Sequence, residues 1–377
     1  MPTLSFWEKT QLLHYDLIVL GGGITGMFCA LEFRKKNPTA TIAVLERGLF
    51  SSGASTKNAG FACFGSLSEL IDDAQKMDDQ ALSKIVQLRI EGLTLLRETL
   101  GDLTIDLRWS GGYELFFENQ PDALNQIDRF NKLLNPIFNK TVFRQNNTKI
   151  NEFGFAQDQV KHLVENPFEG VINTGKMMRA LRSKVNQQDI SFFSNAELTH
   201  FEDDFDKNQL LLSIKNQKFT LRCNQLAVCN NAFANQLFPE INLSPGRGQV
   251  ILTEPIPNLK VAGAFHYEAG YYYFRNIENR ILFGGGRSLD YKTETTTKFG
   301  INSKIKAQLL SDLYSFILPD QKVSLAMEWS GIMAFGKTKI PLIKKHKKNI
   351  VIGVKLGGMG VAIGSQVGKK LAALLQE

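Results

Sequence analysis

The amino-acid sequence predicts an α/β fold of two domains. One is built on buried strands that alternate with helices, and the other, of α+β type, is built on an antiparallel sheet. The first sixty residues show a strand, a glycine-rich turn, a helix and a second strand. Residues 246–286 show strand patterns joined by short turns. A chain of 377 residues is long enough to form two cores of ordinary size.

The turn at residues 21–26 (GGGITG) is the most informative stretch of the chain. The short apolar run before it, 15–20, is typical of a buried strand, and residues 26–34 predict a helix with an apolar face. A second buried strand, 41–45, is followed directly by Glu46, 20 residues after the last glycine of the turn. Together these features predict a Rossmann-like dinucleotide-binding domain.

The residues of this turn have distinct predicted roles. Gly21 permits the tight turn, Gly23 lets a pyrophosphate approach the backbone, and Gly26 lets the helix pack closely on the sheet. Free N–H groups at the start of the helix favour phosphate charge. Glu46 can accept hydrogen bonds from a ribose diol, and it would repel a 2′-phosphate. Glycine-rich turns often have no ligand, but the strand, helix and acid around this one favour a dinucleotide.

The charged residues do not indicate a nucleic-acid partner. The formal net charge is +7, but the basic residues are spread along the chain. The one dense run, 344–348 (KKHKK), lies between two apolar segments and is interpreted as a solvated turn. We therefore expect a small-molecule ligand and no nucleic acid.

The sequence also lacks the patterns of export and membrane insertion. No stretch approaches the roughly 20 apolar residues needed to span a bilayer, and residues 1–14 lack the apolar core of a secretory signal. We expect Phe6 and Trp7 of this arm to pack on the body of the protein. The cysteines lack metal-binding or redox spacing, which predicts reduced thiols, no metal site and a cytoplasmic location. They are Cys29, Cys63, Cys223 and Cys229.

A long loop rich in small residues, 51–66 (SSGASTKNAGFACFGS), follows the second strand. With the opening turn and the strand end at 46–48, it resembles the FAD-dependent amine and amino-acid oxidoreductases, the family of D-amino-acid oxidase, glycine oxidase and sarcosine oxidase. Residues 230–232 (NNA) look most like the γ-glutamylputrescine oxidase branch. The resemblance, together with the opening motif, implies FAD contacts from Gly21, Gly23, Ile24, Thr25, Gly26, Glu46, Arg47, Ser55, Thr56, Asn58, Ala59, Gly60, Phe61, Leu198, Gly357, Gly358, Met359, Gly360 and Val361.

The resemblance also implies how the chain divides. The FAD-binding domain is expected to be discontinuous, with segments 1–80, 158–245 and 330–377, and the substrate domain is expected to comprise 81–157 and 246–329. The pattern predicts a helix near 80–100 and a hairpin of strands 105–109 and 113–117. The glycine turn 356–361 and its helix can direct N–H groups toward the electron-rich edge of the flavin.

The strand 271–275 is the predicted floor of a substrate site. Tyr271 and Tyr273 share one face, where they serve either sheet packing or an aromatic cage for an amine. Met333 stands where glycine oxidase has an arginine that holds the substrate carboxylate. We therefore expect an amine with an apolar or extended body as substrate, and poor turnover of small amino acids unless Arg275 or Arg287 faces the flavin. The candidate catalytic residues are Tyr271, Tyr273, Arg275 and Arg287.

The implied reaction is oxidation of a C–N bond in an amine or amino acid, with hydride transfer to flavin N5. No cysteine follows Cys229, the late position used by sarcosine oxidase for covalent attachment, so noncovalent FAD is expected. Leu282 replaces that enzyme's oxygen-activating lysine, which leaves oxygen or another electron acceptor open. The alternatives are a hydroxy-acid dehydrogenase, a tRNA-modifying flavoenzyme of the same fold, or a flavin-binding protein without activity.

Overall fold

The structure is a computed structural model that describes residues 4–117, 121–204, 207 and 209–376. The helices are α1 (Phe6–Gln11), α2 (Ile24–Lys36), α3 (Ala54–Lys57), α4 (Leu67–Ala74), α5 (Asp79–Leu100), α6 (Pro121–Leu124), α7 (Ile127–Phe138), α8 (Thr148–Phe153), α9 (Thr174–Gln187), α10 (Tyr291–Glu294), α11 (Ser303–Asp312) and α12 (Gly360–Leu374). Short 3₁₀ helices span Asn231–Gln236 and Arg287–Asp290, and a π-helical turn spans Leu313–Ile317.

The strands fall into two large sheets and one small pair. They are β1 (His14–Leu20), β2 (Ile42–Leu45), β3 (Phe61–Ala62), β4 (Gly112–Phe116), β5 (Arg144–Gln145), β6 (His162–Asn166), β7 (Gly170–Val171), β8 (Ser191–Phe193), β9 (Leu198–Asp204), β10 (Gln209–Ile214), β11 (Thr220–Val228), β12 (Ser244–Thr253), β13 (Ala264–Tyr267), β14 (Tyr272–Ile277), β15 (Arg280–Gly285), β16 (Leu325–Phe335), β17 (Leu342–Lys347) and β18 (Ile350–Val354).

The first sheet has the strand order β17-β18-β11-β1-β2-β8, with β10 and β9 paired in turn to the first half of β11. The strands from β18 to β8 run parallel. β2 and β18 are buried along their whole length, because helices cover a parallel sheet and leave no solvent-facing side. The predicted strands and helix of the first sixty residues are confirmed, and so is the α/β class.

Helices α2, α5 and α12 pack closely on one face of this sheet. A Cβ at Gly92 of α5 would overlap the carbonyl oxygen of Ala362 in α12. A Cβ at Gly368 of α12 would lie 2.5 Å from the carbonyl oxygen of Thr25 in α2. Only glycine permits such close backbone approach, and the contacts place the first turns of α2 and α12 side by side.

The second sheet has the strand order β16-β12-β15-β14-β13-β4-β6-β5 and is antiparallel except for the pair β13–β4. Its core includes Phe265, Tyr267, Tyr272, Phe274 and Phe283, which are all at most 3% exposed. Tyr272 and Phe274 point into this core, as their predicted alternation with Tyr271 and Tyr273 requires.

The predicted hairpin of 105–109 with 113–117 is wrong. Residues 113–116 lie in β4, but Arg108 exchanges its N–H and C=O with Val171 at 2.9 Å in each direction. β4 pairs instead with β6 and β13. The partners of both segments are distant in the sequence, so the local glycines did not reveal the pairing.

Two further expectations are corrected. Most of the basic run predicted as a turn belongs to β17, an edge strand that pairs with β18, and the charges cover an edge that would otherwise be open to association. Phe6 and Trp7 are 68% and 71% exposed and contact each other edge-on, so they do not pack on the body. Among the described residues, no helix is both long and apolar enough to cross a membrane.

The two sheets draw on the chain differently from the predicted domain segments at three points. Helix α5 packs with α2 and α12, β6 joins the second sheet, and β16 continues in that sheet to Phe335. The division into an FAD-binding and a substrate domain stays a prediction.

Candidate functional site

A cavity of about 580 Å³ is bounded by both large sheets. Leu20 and Leu45, at the carboxyl ends of β1 and β2, line one part of it. Gly248 of β12, Tyr273 of β14 and Met333 of β16 line another part. The carboxyl ends of parallel strands are the usual ligand side of an open α/β sheet.

The glycine-rich turn shapes one end of the cavity. Gly21 has φ +110°, and a Cβ there would lie 2.8 Å from the carbonyl oxygen of Cys229. A Cβ at Gly26 would overlap the carbonyl oxygen of Gly21, so Gly26 serves helix packing and does not line the cavity. At Gly23 a Cβ would come within 2.7 Å of Ser55 Oγ. The turn therefore places bare backbone against the cavity.

Glu46 is 5% exposed and holds the loops around the turn. Its Oε2 accepts from Gly22 N–H at 3.1 Å. Its Oε1 accepts from Gly48 N–H at 2.9 Å and from Ser52 Oγ at 2.9 Å. The carboxylate thus supports the turn itself while it lines the cavity.

The loop after Glu46 runs along the cavity wall and is tied down at several points. Ser55 Oγ accepts from Ile24 N–H, at the first turn of α2, at 3.0 Å. Asn58 Oδ1 accepts from Gly60 N–H at 2.9 Å and from Thr174 Oγ1 at 2.8 Å. These bonds give the loop a single shape before any ligand binds.

The C-terminal glycine turn closes the cavity from the side of α12. Gly357 and Gly358 have φ +56° and +86°, and Gly357 N–H donates to the carbonyl oxygen of Ala334 at 3.1 Å. Helix α12 then begins at Gly360, beside the start of α2. Two helix N-termini therefore open on one cavity, an arrangement that favours a ligand with more than one electron-rich group.

The residues present fit the FAD that the resemblance implies. Thr25 Oγ1 and Asn230 Oδ1 are buried at the cavity wall, and neither has a hydrogen-bond partner within the described ranges. A buried polar atom without a partner is costly unless a ligand or water satisfies it. Of the predicted cofactor residues, Gly26 and Thr56 do not line the cavity, and the following ones do: Gly21, Gly23, Ile24, Thr25, Glu46, Arg47, Ser55, Asn58, Ala59, Gly60, Phe61, Leu198, Gly357, Gly358, Met359, Gly360 and Val361.

The predicted catalytic residues separate into two groups. Tyr271, Tyr273 and Arg287 line the cavity. Burial raises the pKa of Tyr273 to about 12, so its hydroxyl stays protonated at neutral pH. Arg275 does not line the cavity. Its Nη1 donates to the carbonyl oxygens of Gly60 and Ile172 at 2.8 Å and of Ala59 at 3.3 Å, which fastens the loop to the second sheet.

A charged cluster at the far end of the cavity was missed by the sequence analysis. Lys339 Nζ lies 2.7 Å from Glu69 Oε1 and 3.1 Å from Asp73 Oδ1. The wholly buried Arg89 approaches Asp73 Oδ2 at 3.7 Å. Burial acts to lower the pKa of Lys339, but Glu69 and Asp73 raise it above its ordinary value, so the amine is charged. These residues are 266 or more positions from Lys339, and no local pattern joins them.

His266 was also missed, although the sequence carried a signal for it. In the hairpin of β13 and β14, His266 lies directly opposite Tyr273, and directly opposite residues share a face. The predicted Tyr271/Tyr273 face therefore includes His266, which lines the cavity at 5% exposure.

The fold and this cavity define an α/β protein built to hold a dinucleotide. The chain belongs to the DAO family, described as FAD-dependent oxidoreductases, whose family model matches residues 16–374. FAD is therefore its cofactor. The predicted relation to the γ-glutamylputrescine oxidase branch is not confirmed and stays a prediction.

Three known proteins show how broad the likeness is. D-amino acid dehydrogenase of Helicobacter pylori is 21% identical, with 96% of this chain and 95% of the relative covered. L-proline dehydrogenase from P. horikoshii has a TM-score of 0.78 at 17% identity, covering 96% and 92% of the two chains. Glycine oxidase from Geobacillus kaustophilus has a TM-score of 0.74 at 18% identity, covering 96% and 95%. At these identities the structural likeness shows the fold.

Proposed function

We propose that this protein oxidises the C–N bond of an amino acid and that Arg287 binds the substrate carboxylate. The proposal depends on one observation. A Cβ at Gly246 would lie 2.9 Å from Arg287 Cζ, and Gly246 is the cross-strand partner of Met333. The guanidinium thus lies beside the position where the resemblance to glycine oxidase called for an arginine.

The surroundings of Arg287 favour an anionic ligand. Within the part of the chain that the structure describes, no carboxylate lies within 4 Å of its guanidinium, and its buried Nε has no hydrogen-bond partner. The guanidinium instead lies 4.1 Å from the ring centroid of Phe335 and 4.9 Å from that of Tyr291. Burial lowers the pKa of Arg287, but a guanidinium keeps its charge at neutral pH.

The other cations at this end differ from Arg287. Lys339 is held by Glu69 and Asp73, and Lys76 by Asp72 at 2.6 Å. A paired cation has little to gain from a substrate carboxylate, whereas an unpaired guanidinium can form two parallel hydrogen bonds with one. The expectation that small amino acids are poor substrates assumed that no arginine faces the flavin, and Arg287 removes that assumption.

The side chains around the cavity have separable roles in this reaction. Bound FAD supplies the hydride acceptor, and we propose that it is held noncovalently. Arg287 orients the substrate through its carboxylate, and Tyr271 and Tyr273 contact the rest of the substrate with aromatic surface. Orientation of the reacting carbon is the main contribution that such a site can make. The proposal leaves the electron acceptor unspecified.

The test compares matched ligands under anaerobic conditions. Single-turnover bleaching of the flavin is measured with D-alanine, L-alanine, L-proline and sarcosine, and with ethylamine, pyrrolidine and dimethylamine, which lack the carboxylate. Wild type is expected to react faster with at least one amino acid than with its matched amine. Arg287→Met should slow that amino acid by about 100-fold, about 3 kcal/mol for a lost charge-assisted pair, and leave the amine unchanged.

The control is Arg280→Met, an arginine of β15 that pairs with Glu254 outside the cavity. It should behave as wild type with every ligand. Equal loss of amino-acid and amine oxidation in Arg287→Met would contradict carboxylate binding by this residue. Bleaching by a hydroxy acid such as lactate, and by none of the amines, would replace C–N oxidation with C–O oxidation.

A further inference from the structure

His266 is a buried imidazole in the wall of the cavity that the proposed function does not use. It lies in β13 between Glu114 of β4 and Tyr273 of β14 in the sheet register. Its ring contacts Phe61 edge-on, with ring centroids 5.1 Å apart. Phe61 belongs to the loop predicted to lie along the flavin and itself lines the cavity. The imidazole is thus next to the wall where the cofactor ring is expected.

Glu169 connects this imidazole to the same loop. Its Oε2 lies 3.6 Å from His266 Nε2, which is sealed from solvent and has no closer partner in the described chain. Its Oε1 accepts from the N–H groups of Phe64 and Gly65 at 3.2 and 3.4 Å. Because one carboxylate holds both the ring and the loop, the imidazole is fixed relative to the cavity wall.

The groups that face His266 favour its charged form. Burial acts to lower the pKa of His266, but Glu169, together with Glu69 and Glu114, raises it above the ordinary value. Charged or titratable groups that pack around it come from five places: Glu169 before β7, Glu69 on α4, Glu114 on β4, Tyr273 on β14 and Cys63 on the loop. Lys339 lines the same region, but it is already paired with Glu69 and Asp73.

We propose that His266 is a cationic residue of the flavin pocket whose positive charge favours the reduced cofactor. Reduced flavin carries more negative charge than oxidised flavin, and a fixed cation in a wall that excludes water stabilises that charge. The inference rests on FAD occupying this cavity with its ring near Phe61, as the proposed function assumes. It does not depend on Arg287 or on the identity of the substrate.

The experiment measures the flavin reduction potential of the holoprotein without any substrate. FAD is equilibrated with a reference dye during slow reduction between pH 6 and pH 9, in wild type and in His266→Asn. At pH 6 the variant should be at least tenfold harder to reduce relative to the dye, which is about 30 mV for a two-electron couple. The protonated imidazole supplies the effect, so the difference should shrink as the pH rises through the pKa of His266.

His346→Asn is a closely matched control. His346 is half-buried in β17, contacts Phe238 edge-on at 5.0 Å, and has Glu240 3.7 Å from its Nδ1. It therefore shares the aromatic and carboxylate neighbours of His266, but it does not line the cavity. Its replacement should leave the potential unchanged at every pH. An equal shift in both histidine variants would overturn the proposal.

Glu169→Gln provides an independent check, since it keeps His266 and removes the carboxylate that favours its charge. The pH at which the potential loses its extra stabilisation should move to a lower value. Circular dichroism and the ratio of FAD to protein establish that each variant is folded and loaded. If His266→Asn does not hold FAD, the Glu169→Gln shift decides. Identical potentials in wild type and in each loaded variant from pH 6 to 9 would sink the idea, while leaving the Arg287 test unaffected.

Discussion

The two ends of the cavity are built in different ways. At the nucleotide end, Gly21, Gly23, Glu46 and Ser55 come from one stretch of 35 residues, and Glu46 is already satisfied by three hydrogen-bond donors of its own turn and loop. At the substrate end, charged residues from four distant segments meet, and Arg287 has no carboxylate partner among the described residues.

This difference separates a preformed binding frame from an adaptable one. The backbone at the nucleotide end is held by local hydrogen bonds, so it suits a ligand whose chemistry does not vary. The substrate end depends on which side chains the second sheet presents, so single substitutions there can alter specificity without disturbing the frame. Perturbing each end in turn tests this view.

The largest effect is expected at the nucleotide end. Gly23→Val should abolish FAD binding, because the added side chain would occupy the space left for the pyrophosphate and would also press on Ser55 Oγ. The measurement is the ratio of flavin to protein absorbance after purification. Gly175→Ala, at an exposed position of α9, is the control and should purify fully loaded. Stoichiometric FAD in Gly23→Val would mean that the opening turn does not hold the pyrophosphate.

The second effect separates two arginines that the sequence treated alike. Arg275→Met should lower the free energy of unfolding by on the order of 3 kcal/mol, because three buried carbonyl groups lose their donor. Arg287→Met should change it by less than about 1 kcal/mol, since only cation–π contacts are lost. Urea unfolding of both apoproteins measures this. Similar losses in the two variants would show that Arg287 also has a structural role.

The smallest effect concerns Glu46. Glu46→Ala should weaken FAD binding by about 1–3 kcal/mol, the range for a hydrogen bond to a charged group, combined with some loosening of the turn. Quenching of FAD fluorescence on titration with apoprotein gives the affinity. Glu202→Ala, an exposed carboxylate of β9, is expected to bind as wild type. An unchanged affinity in Glu46→Ala would limit this residue to a role in the turn.

Much of the fold could be predicted because its signals are local. The glycine turn, the buried runs of β1 and β2, and the helical period of α5 each lie within a short window. The strand pairing around residues 105–117 could not be predicted, since Arg108 bonds to Val171 and β4 to β13, far along the chain. Tyr271 and Tyr273 were placed on one face by simple alternation, and both line the cavity.

The sequence by itself determined the parallel sheet with its glycine turn, because backbone sterics and hydrophobic period act within a few residues. Only the tertiary structure decided which charges reach the substrate end. Arg275 and Arg287 lie twelve positions apart, and alternation alone does not settle which of them faces the cavity. The register of β12 on β16, which puts Gly246 between Met333 and the Arg287 guanidinium, and the bonds from Arg275 to the loop carbonyls made that choice. Both depend on contacts between segments that no local pattern links.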